Sequence, residues 1–314
     1  MSERLEPATS RGAVGSAIST SEWRTRGATF SIDSLAFEHE VFVVDSASPD
    51  TTPLLLLHGF PTSSWDFTGV FDTLCLDRRV ITLDLLGFGF SSKPKTFSYS
   101  LIEQADVVIE AMKRAKISRA HVWAHDMGTS VATELCAREQ RGTLPFELAS
   151  LVLSNGSVHI DMASLTIGQR VLKSRLGPVF ARLNSARTFK AQLKRVFAIA
   201  PSEQELQSMW ELASREDGLL RFPQIISYTE ERTRFERRWI GALERLRVPT
   251  LVAWGERDPV AVKAIAEQLT REIPGARMET WPELGHYPHV ESPARVLATV
   301  RPFLREHDVK AHRP

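Results

Sequence analysis

The sequence predicts an α/β fold, a doubly wound and mostly parallel sheet with a helical segment inserted into it, from three observations. Short uninterrupted apolar runs recur along the chain, helical periods separate them, and one long stretch without a strand signal breaks the alternation. The apolar runs occupy residues 54–57, 80–83, 122–124, 151–153 and 251–254, each bounded by turn residues. Such runs suit strands buried on both faces, as in a parallel sheet covered by helices. Before them, residues 28–46 alternate imperfectly and predict two strands paired as a hairpin at the sheet edge.

The intervening helices are visible in their periods. Ser100 with Glu103 has the form of a capping box, and Leu101, Ala105, Val108, Ile109 and Met112 then share one face. Gly128, Val131, Ala132, Leu135 and Cys136 do the same after the fifth strand, and Ala264, Leu269 and Ile273 mark another amphipathic segment. Strand–helix alternation implies right-handed crossovers. From 158 to 246 the sequence is helix-compatible, interrupted by Pro178, Pro201 and Pro223. It is expected to form a cap over a core made of 23–157 and 247–314, with residues 1–22 as a flexible tail.

Composition bounds the function. The 314 residues are 43% hydrophobic and 25% charged, enough apolar material for a large core. A net charge of +1 supplies no global attraction to nucleic acid or an anionic membrane, so a small-molecule substrate is the expected partner. Monomer and homodimer both remain open. The seven basic residues Lys173, Arg175, Arg182, Arg187, Lys190, Lys194 and Arg195 are read as a solvated helix face. Cys75 and Cys136 have no spacing that suggests a disulfide framework or metal site and are expected to be buried thiols. The polar N-terminus lacks the apolar core of a secretory signal, and no run approaches the ~20 apolar residues needed to span a bilayer. A cytoplasmic protein without stable membrane insertion is expected.

The strongest chemical signal is Ala124-His125-Asp126-Met127-Gly128, between a buried strand and an amphipathic helix. It has the small-x-nucleophile-x-small pattern of a strained strand-to-helix turn, with Asp at the centre. Small flanks are needed because strand and helix nearly touch, and the turn lifts the central side chain above the sheet. The plain alternative makes Asp126 a helix N-cap. Trp254-Gly255-Glu256-Arg257-Asp258-Pro259 places Asp258 in a loop at the carboxyl edge of the sheet, where ligands of open parallel sheets bind, with Glu256 as the competing acid. Glu283-Leu284-Gly285-His286-Tyr287-Pro288-His289 offers His286 as the base and His289 as its alternative. The chain order is thus nucleophile, acid, histidine. After the third strand, His58-Gly59-Phe60-Pro61 is either a simple turn or the loop whose Phe60 N–H joins that of Met127 as an oxyanion hole. The segment from Asp84 to Ser91 is expected to buttress that loop, with glycines supplying positive φ.

On these motifs, residues 23–305 resemble the epoxide hydrolase and haloalkane dehalogenase branch of the α/β-hydrolase superfamily. Within it the chain looks most like the mesoderm-specific transcript protein family, through HGFPTSSWDF, LDLLGFGFSSKP, LVLSNG, PSEQELQSMW and RRWIGAL. The resemblance implies an eight-stranded α/β-hydrolase sheet with the cap after the sixth strand. It implies Asp126 as nucleophile, Asp258 as acid and His286 as base, with Phe60 and Met127 as oxyanion donors. A carboxylate is already ionised at neutral pH, so the implied reaction is attack on an sp³ carbon to give an alkyl ester, hydrolysed by water that His286 activates. No metal or organic cofactor is required.

Leaving-group residues depart from the related patterns. Epoxide hydrolases use two cap tyrosines, whereas Tyr228 is the only cap tyrosine here and Trp239 stands in the segment that usually brings the second. Haloalkane dehalogenases place Trp after the nucleophile and often Asn in the oxyanion loop, and here Met127 and Phe60 occupy those positions. The Arg that follows the nucleophile in fluoroacetate dehalogenases is likewise replaced by Met127. Epoxide opening leads, with halide displacement as the alternative and a non-catalytic ligand-binding protein as the second. Tyr228, Asn155, Trp65, Trp210 and Trp239 are the candidate substrate contacts.

Overall fold

The computed structural model describes residues 18–34, 37–47 and 51–308. Eight strands form one sheet: β1 (Gly27–Ser34), β2 (Phe37–Asp45), β3 (Leu54–Leu57), β4 (Val80–Leu83), β5 (Arg119–His125), β6 (Glu147–Ser154), β7 (Thr250–Gly255) and β8 (Arg277–Trp281). Their order across the sheet is β1-β2-β4-β3-β5-β6-β7-β8. β1 and β2 form the antiparallel hairpin at the edge, β2 meets β4 antiparallel, and every later pairing is parallel. The apolar runs fall in β3 to β7. Leu54, Leu55, Leu56 and Leu57 are wholly buried because β3 sits between β4 and β5 with helices on both faces. β8 is an edge strand whose first residues are exposed, and its polar sequence, RMETW, carries no buried-strand signal.

Three local expectations are corrected. Thr20–Arg26 is a helix, capped by Ser19, whose Trp23 is buried and donates from Nε1 to Ser64 Oγ at 3.1 Å. The tail therefore ends earlier than residue 22, and residues 1–17 lie outside the described part. The helix Leu101–Arg114 starts at Ser100 as expected, but Glu103 does not complete a capping box. Its carboxylate bonds Ser98 Oγ, and the Ser100 N–H donates to that same hydroxyl. Of the two thiols, Cys136 is buried and Cys75 only partly so.

Between β6 and β7 the chain forms only helices and turns, from Ile167–Lys173 to Glu236–Glu244. This segment is tied to the core beneath it by Glu134, a buried acid on the helix Met127–Gln140. Glu134 accepts from Arg238 Nε and Nη2, both at 2.7 Å, and from Trp239 Nε1 at 2.9 Å. A second tie runs from the cap to the loop after β8, where the His286 N–H donates to Val196 O at 2.9 Å. No helix among the described residues is long and apolar enough to cross a membrane.

Candidate active site

The turn after β5 is strained. Asp126 has φ 48° and ψ −117°, a conformation rare for a residue other than glycine, and its side chain makes no N-cap hydrogen bond to the helix that follows. The N-cap reading of Asp126 is therefore not what the chain does. The turn needs a glycine two residues later, since a Cβ on Gly128 would lie 2.5 Å from Leu57 O. Sheet order explains the close approach: β3, which ends at Leu57, is the neighbour of β5.

Asp126, Asp258 and His286 come together from three loops at the carboxyl edge of the sheet. All three are buried. His286 Nδ1 faces Asp258 Oδ2 at 2.6 Å, while its Nε2 is 4.0 Å from Asp126 Oδ2, beyond hydrogen-bonding distance. Burial opposes protonation of His286, but the charge and hydrogen bond of Asp258 and the charge of Asp126 prevail, raising its pKa to about 9. Asp258 is itself held by four donors or contacts of known origin. Oδ1 accepts from the N–H groups of Val260 at 2.7 Å and Ala261 at 2.9 Å, and Oδ2 from Asn155 Nδ2 at 2.9 Å as well as facing His286. The competing residues lie elsewhere. Glu256 binds Lys263 Nζ and Thr280 Oγ1, both at 2.7 Å. His289 is stacked on Phe67, and burial, with the charge of His286, lowers its pKa to about 3.

The Phe60 N–H donates to Asp126 Oδ2 at 3.2 Å. Burial raises the pKa of Asp126; His286, Arg232 and hydrogen bonds from the Met127 and Phe60 N–H groups pull against it, and the net shift is upward. The carboxylate thus already rests on the two backbone donors, with Oδ2 on the Phe60 N–H. The loop carrying Phe60 is braced by Asp84, whose Oδ1 accepts from Ser64 N at 2.9 Å and Ser64 Oγ at 2.6 Å, and whose Oδ2 accepts from Phe90 N at 2.7 Å. Gly89, at φ 50°, is required there because a Cβ would lie 2.0 Å from Asp84 Oδ2.

Two adjoining cavities reach this cluster. One, of about 70 Å³, is walled by Phe60, Leu172, Phe189, Leu193, Phe222 and Val260, with His286 at its rim. The other, of about 10 Å³, brings Asp126 and His286 together with Tyr228, Gln169 and Arg232. Gln169, Val260 and His286 border both. Tyr228 is fully inside, its pKa raised by burial and by the charge of Asp126. The tryptophans are corrected as substrate contacts, because none lines either cavity. Trp65 sits in the core and bonds Ile18 O, Trp239 bonds Glu134, and Trp210 packs on Phe189 within the cap. Asn155 also lines neither and instead supports Asp258. Two site residues escape a reading of the sequence. His125 Nε2 lies 2.7 Å from His286 O, and the only hint was its place beside the elbow. Arg232 stands in a charged helical run, TEERTR, with nothing local to distinguish it.

Within the described residues no group of three or more His, Cys, Asp or Glu side chains is arranged to hold a metal ion.

Comparison with known proteins accords with this fold. The family described as alpha/beta hydrolase fold matches residues 52–293. The LipZ protein of Mycobacterium tuberculosis, whose name places it among hydrolases, is 46% identical over 80% of this chain and 87% of its own. The mesoderm-specific transcript protein of Mus musculus is 33% identical over 90% of this chain and 87% of its own. Among solved structures, haloalkane dehalogenase DbeA from Bradyrhizobium elkani superposes with a TM-score of 0.75 at 20% identity, covering 90% of this chain and 98% of that one, a likeness of fold.

Proposed function

The chain belongs to the alpha/beta hydrolase fold family, and from that premise we propose that it is a hydrolase working through an alkyl ester on Asp126, with epoxide opening as its leading reaction. The observation that carries this reading is the state of the Asp126 carboxylate. It stands on a strained elbow with Oδ2 on the Phe60 N–H, so Oδ1 is the oxygen left to attack. His286 Nε2, at 4.0 Å, is too far to share a proton with it and is placed to act on water instead.

In the first step Oδ1 forms a bond to an electrophilic carbon as the epoxide C–O bond breaks. The electron pair goes to the ring oxygen, which takes the Tyr228 hydroxyl proton. In the second, His286 removes a proton from water and the hydroxide adds to the ester carbon, its oxyanion held by the Phe60 and Met127 N–H groups. Collapse expels the second alkoxide, which takes the proton from His286. The proton on the regenerated carboxyl returns to the Tyr228 phenolate through solvent. The balance is epoxide plus water to diol. Asp258, oriented by Asn155, keeps the imidazole in the required tautomer. Haloalkane hydrolysis by the same ester is the second reading, favoured by one feature: it needs no proton donor, and Tyr228 is the sole tyrosine on the cap.

The test is intact-protein mass spectrometry of the His286→Gln variant with terminal and aryl epoxides and with haloalkanes. A gain equal to the whole epoxide supports epoxide opening, and a gain of the alkyl group without halogen supports dehalogenation. No adduct with any compound removes the alkyl-enzyme reading and puts ligand binding without turnover, or a carbonyl substrate, in its place.

A further inference from the structure

Arg232 is an arginine buried beside the elbow, near the Asp126 carboxylate but in a hydrogen-bonded ion pair with no acid among the described residues. It is only 6% exposed, and it borders the same small cavity as Asp126 and Tyr228. Its Nε donates to Ser130 Oγ at 3.0 Å, and its guanidinium lies over the Tyr228 ring at 4.7 Å. Its Nη2 is buried and meets no acceptor. The acids next to it in sequence are engaged elsewhere: Glu230 with Lys173 Nζ at 3.7 Å, and Glu231 with the Leu101 N–H at 2.8 Å. No carboxylate among the described residues forms an ion pair with it.

A buried cation is costly unless it is paired. The one nearby anion in the cavity is Asp126, whose ionisation Arg232 favours. That pairing cannot last through the proposed reaction, because ester formation removes the charge of Asp126 and leaves Arg232 without an anion at the moment the substrate is attached. A substrate bearing its own negative charge resolves this. It also explains the cation from the other side, since an anionic substrate approaching the Asp126 carboxylate would be repelled without one. Ser130 and the Tyr228 ring take Nε and one face of the guanidinium, while Nη2, on the edge that grips a carboxylate, is left without an acceptor in a residue that lines the cavity.

We infer that Arg232 is a carboxylate-binding subsite and that the substrate is a small anionic molecule, with its carboxylate a few bonds from the carbon that Asp126 attacks. This rests on the covalent reading for its substrate but not for its binding site, and the experiment separates the two. His286→Gln protein is incubated with glycidate, with its methyl ester and with glycidol, and in parallel with 2-chloropropionate and 1-chloropropane. Adduct formation is timed by mass, then repeated with Arg232→Met and Arg232→Lys added. Binding without chemistry is measured by calorimetry with propionate, using Asp126→Asn protein with and without Arg232→Met.

The carboxylates are expected to react faster than their neutral counterparts by about tenfold or more, a preference lost with Arg232→Met and partly kept with Arg232→Lys. Equal rates for anionic and neutral compounds in the His286→Gln protein overturn the inference and leave the covalent reading standing; that comparison needs no change at Arg232, so a folding defect cannot blur it. No adducts, with propionate binding that requires Arg232, sink the covalent reading and keep the subsite. Neither adducts nor binding overturn both.

Discussion

The imidazole of His125 reaches from the last residue of β5 to the carbonyl of His286, Nε2 to O at 2.7 Å. The residue before the elbow thereby fixes the height of the loop that carries the proposed base. His125 is fully buried, and burial, reinforced by the charges of His289 and His286, holds its pKa well below the usual value, so it acts as a neutral donor.

Replacing His125 by Phe is expected to keep the ring volume but leave the His286 carbonyl without its donor. The cost should be about 1–3 kcal/mol of stability, the usual penalty for a buried group left unsatisfied. Thermal unfolding measures this. Faster amide exchange confined to residues 284–289 would locate the loss in the loop, and unchanged exchange there would refute the tie.

Asn155 gives a second positioning test. It sits at φ 42° and exchanges two bonds with Gly255, Nδ2 to O at 3.1 Å and N to Oδ1 at 2.9 Å, besides its donation to Asp258. Asn155→Gly tolerates that backbone and loses only the bonds, whereas Asn155→Ala loses both. Both variants are expected to release Asp258 and slow ester hydrolysis, with Ala melting lower than Gly by about 1 kcal/mol of added strain. Equal melting of the two would remove the backbone part of the argument.

The pH dependence follows from the raised pKa of His286. The folded form holds its proton up to about 9, against 6.5 for the free side chain. Its contribution to stability is thus fully present below pH 6.5 and is lost as pH rises toward 9. Part of the shift comes from the charge of Asp126, so Asp126→Asn is expected to lower the His286 pKa. Ester formation removes the same charge, and single-turnover hydrolysis should accordingly titrate at a lower pH than the free protein. Imidazole NMR titrations of both proteins check the direction, and an unmoved His286 in Asp126→Asn would show that the two residues do not sense each other.

Tyr228 separates the two leaving groups. Removing a positioned general acid typically costs about 10²–10⁴ in rate, so Tyr228→Phe should slow adduct formation from epoxides by that order. Displacement of halide, which needs no proton, should change little. Comparable losses with both classes would make Tyr228 a wall of the cavity instead of a donor.

Much of this molecule is written locally. The strands β3 to β7 were legible because burial on both faces leaves uninterrupted apolar runs, Asp126 and Asp258 because each sits in a turn or loop after one of those runs, and His286 because it follows Gly285 and comes last in the order nucleophile, acid, histidine. β8 left no such mark, since an edge strand half in water carries Arg, Glu and Thr as readily as any loop. Composition likewise could not sort the aromatic residues: Trp65 and Trp239 are as apolar as a pocket wall, yet the fold spends them on the core and on Glu134. Asn155 was visible as a polar residue after β6, but only its packing beside β7 turns it toward Asp258 and away from the cavity. Arg232 and His125 depended wholly on tertiary structure. A charge in a run of charges says nothing of its surroundings until a helix lays it over Tyr228, and a histidine at a strand end needs a loop 161 residues away in sequence to define its partner. The sequence alone therefore determined the order of the proposed reacting groups, because each is encoded by its own turn. Which groups surround them was decided by contacts between segments far apart in the chain.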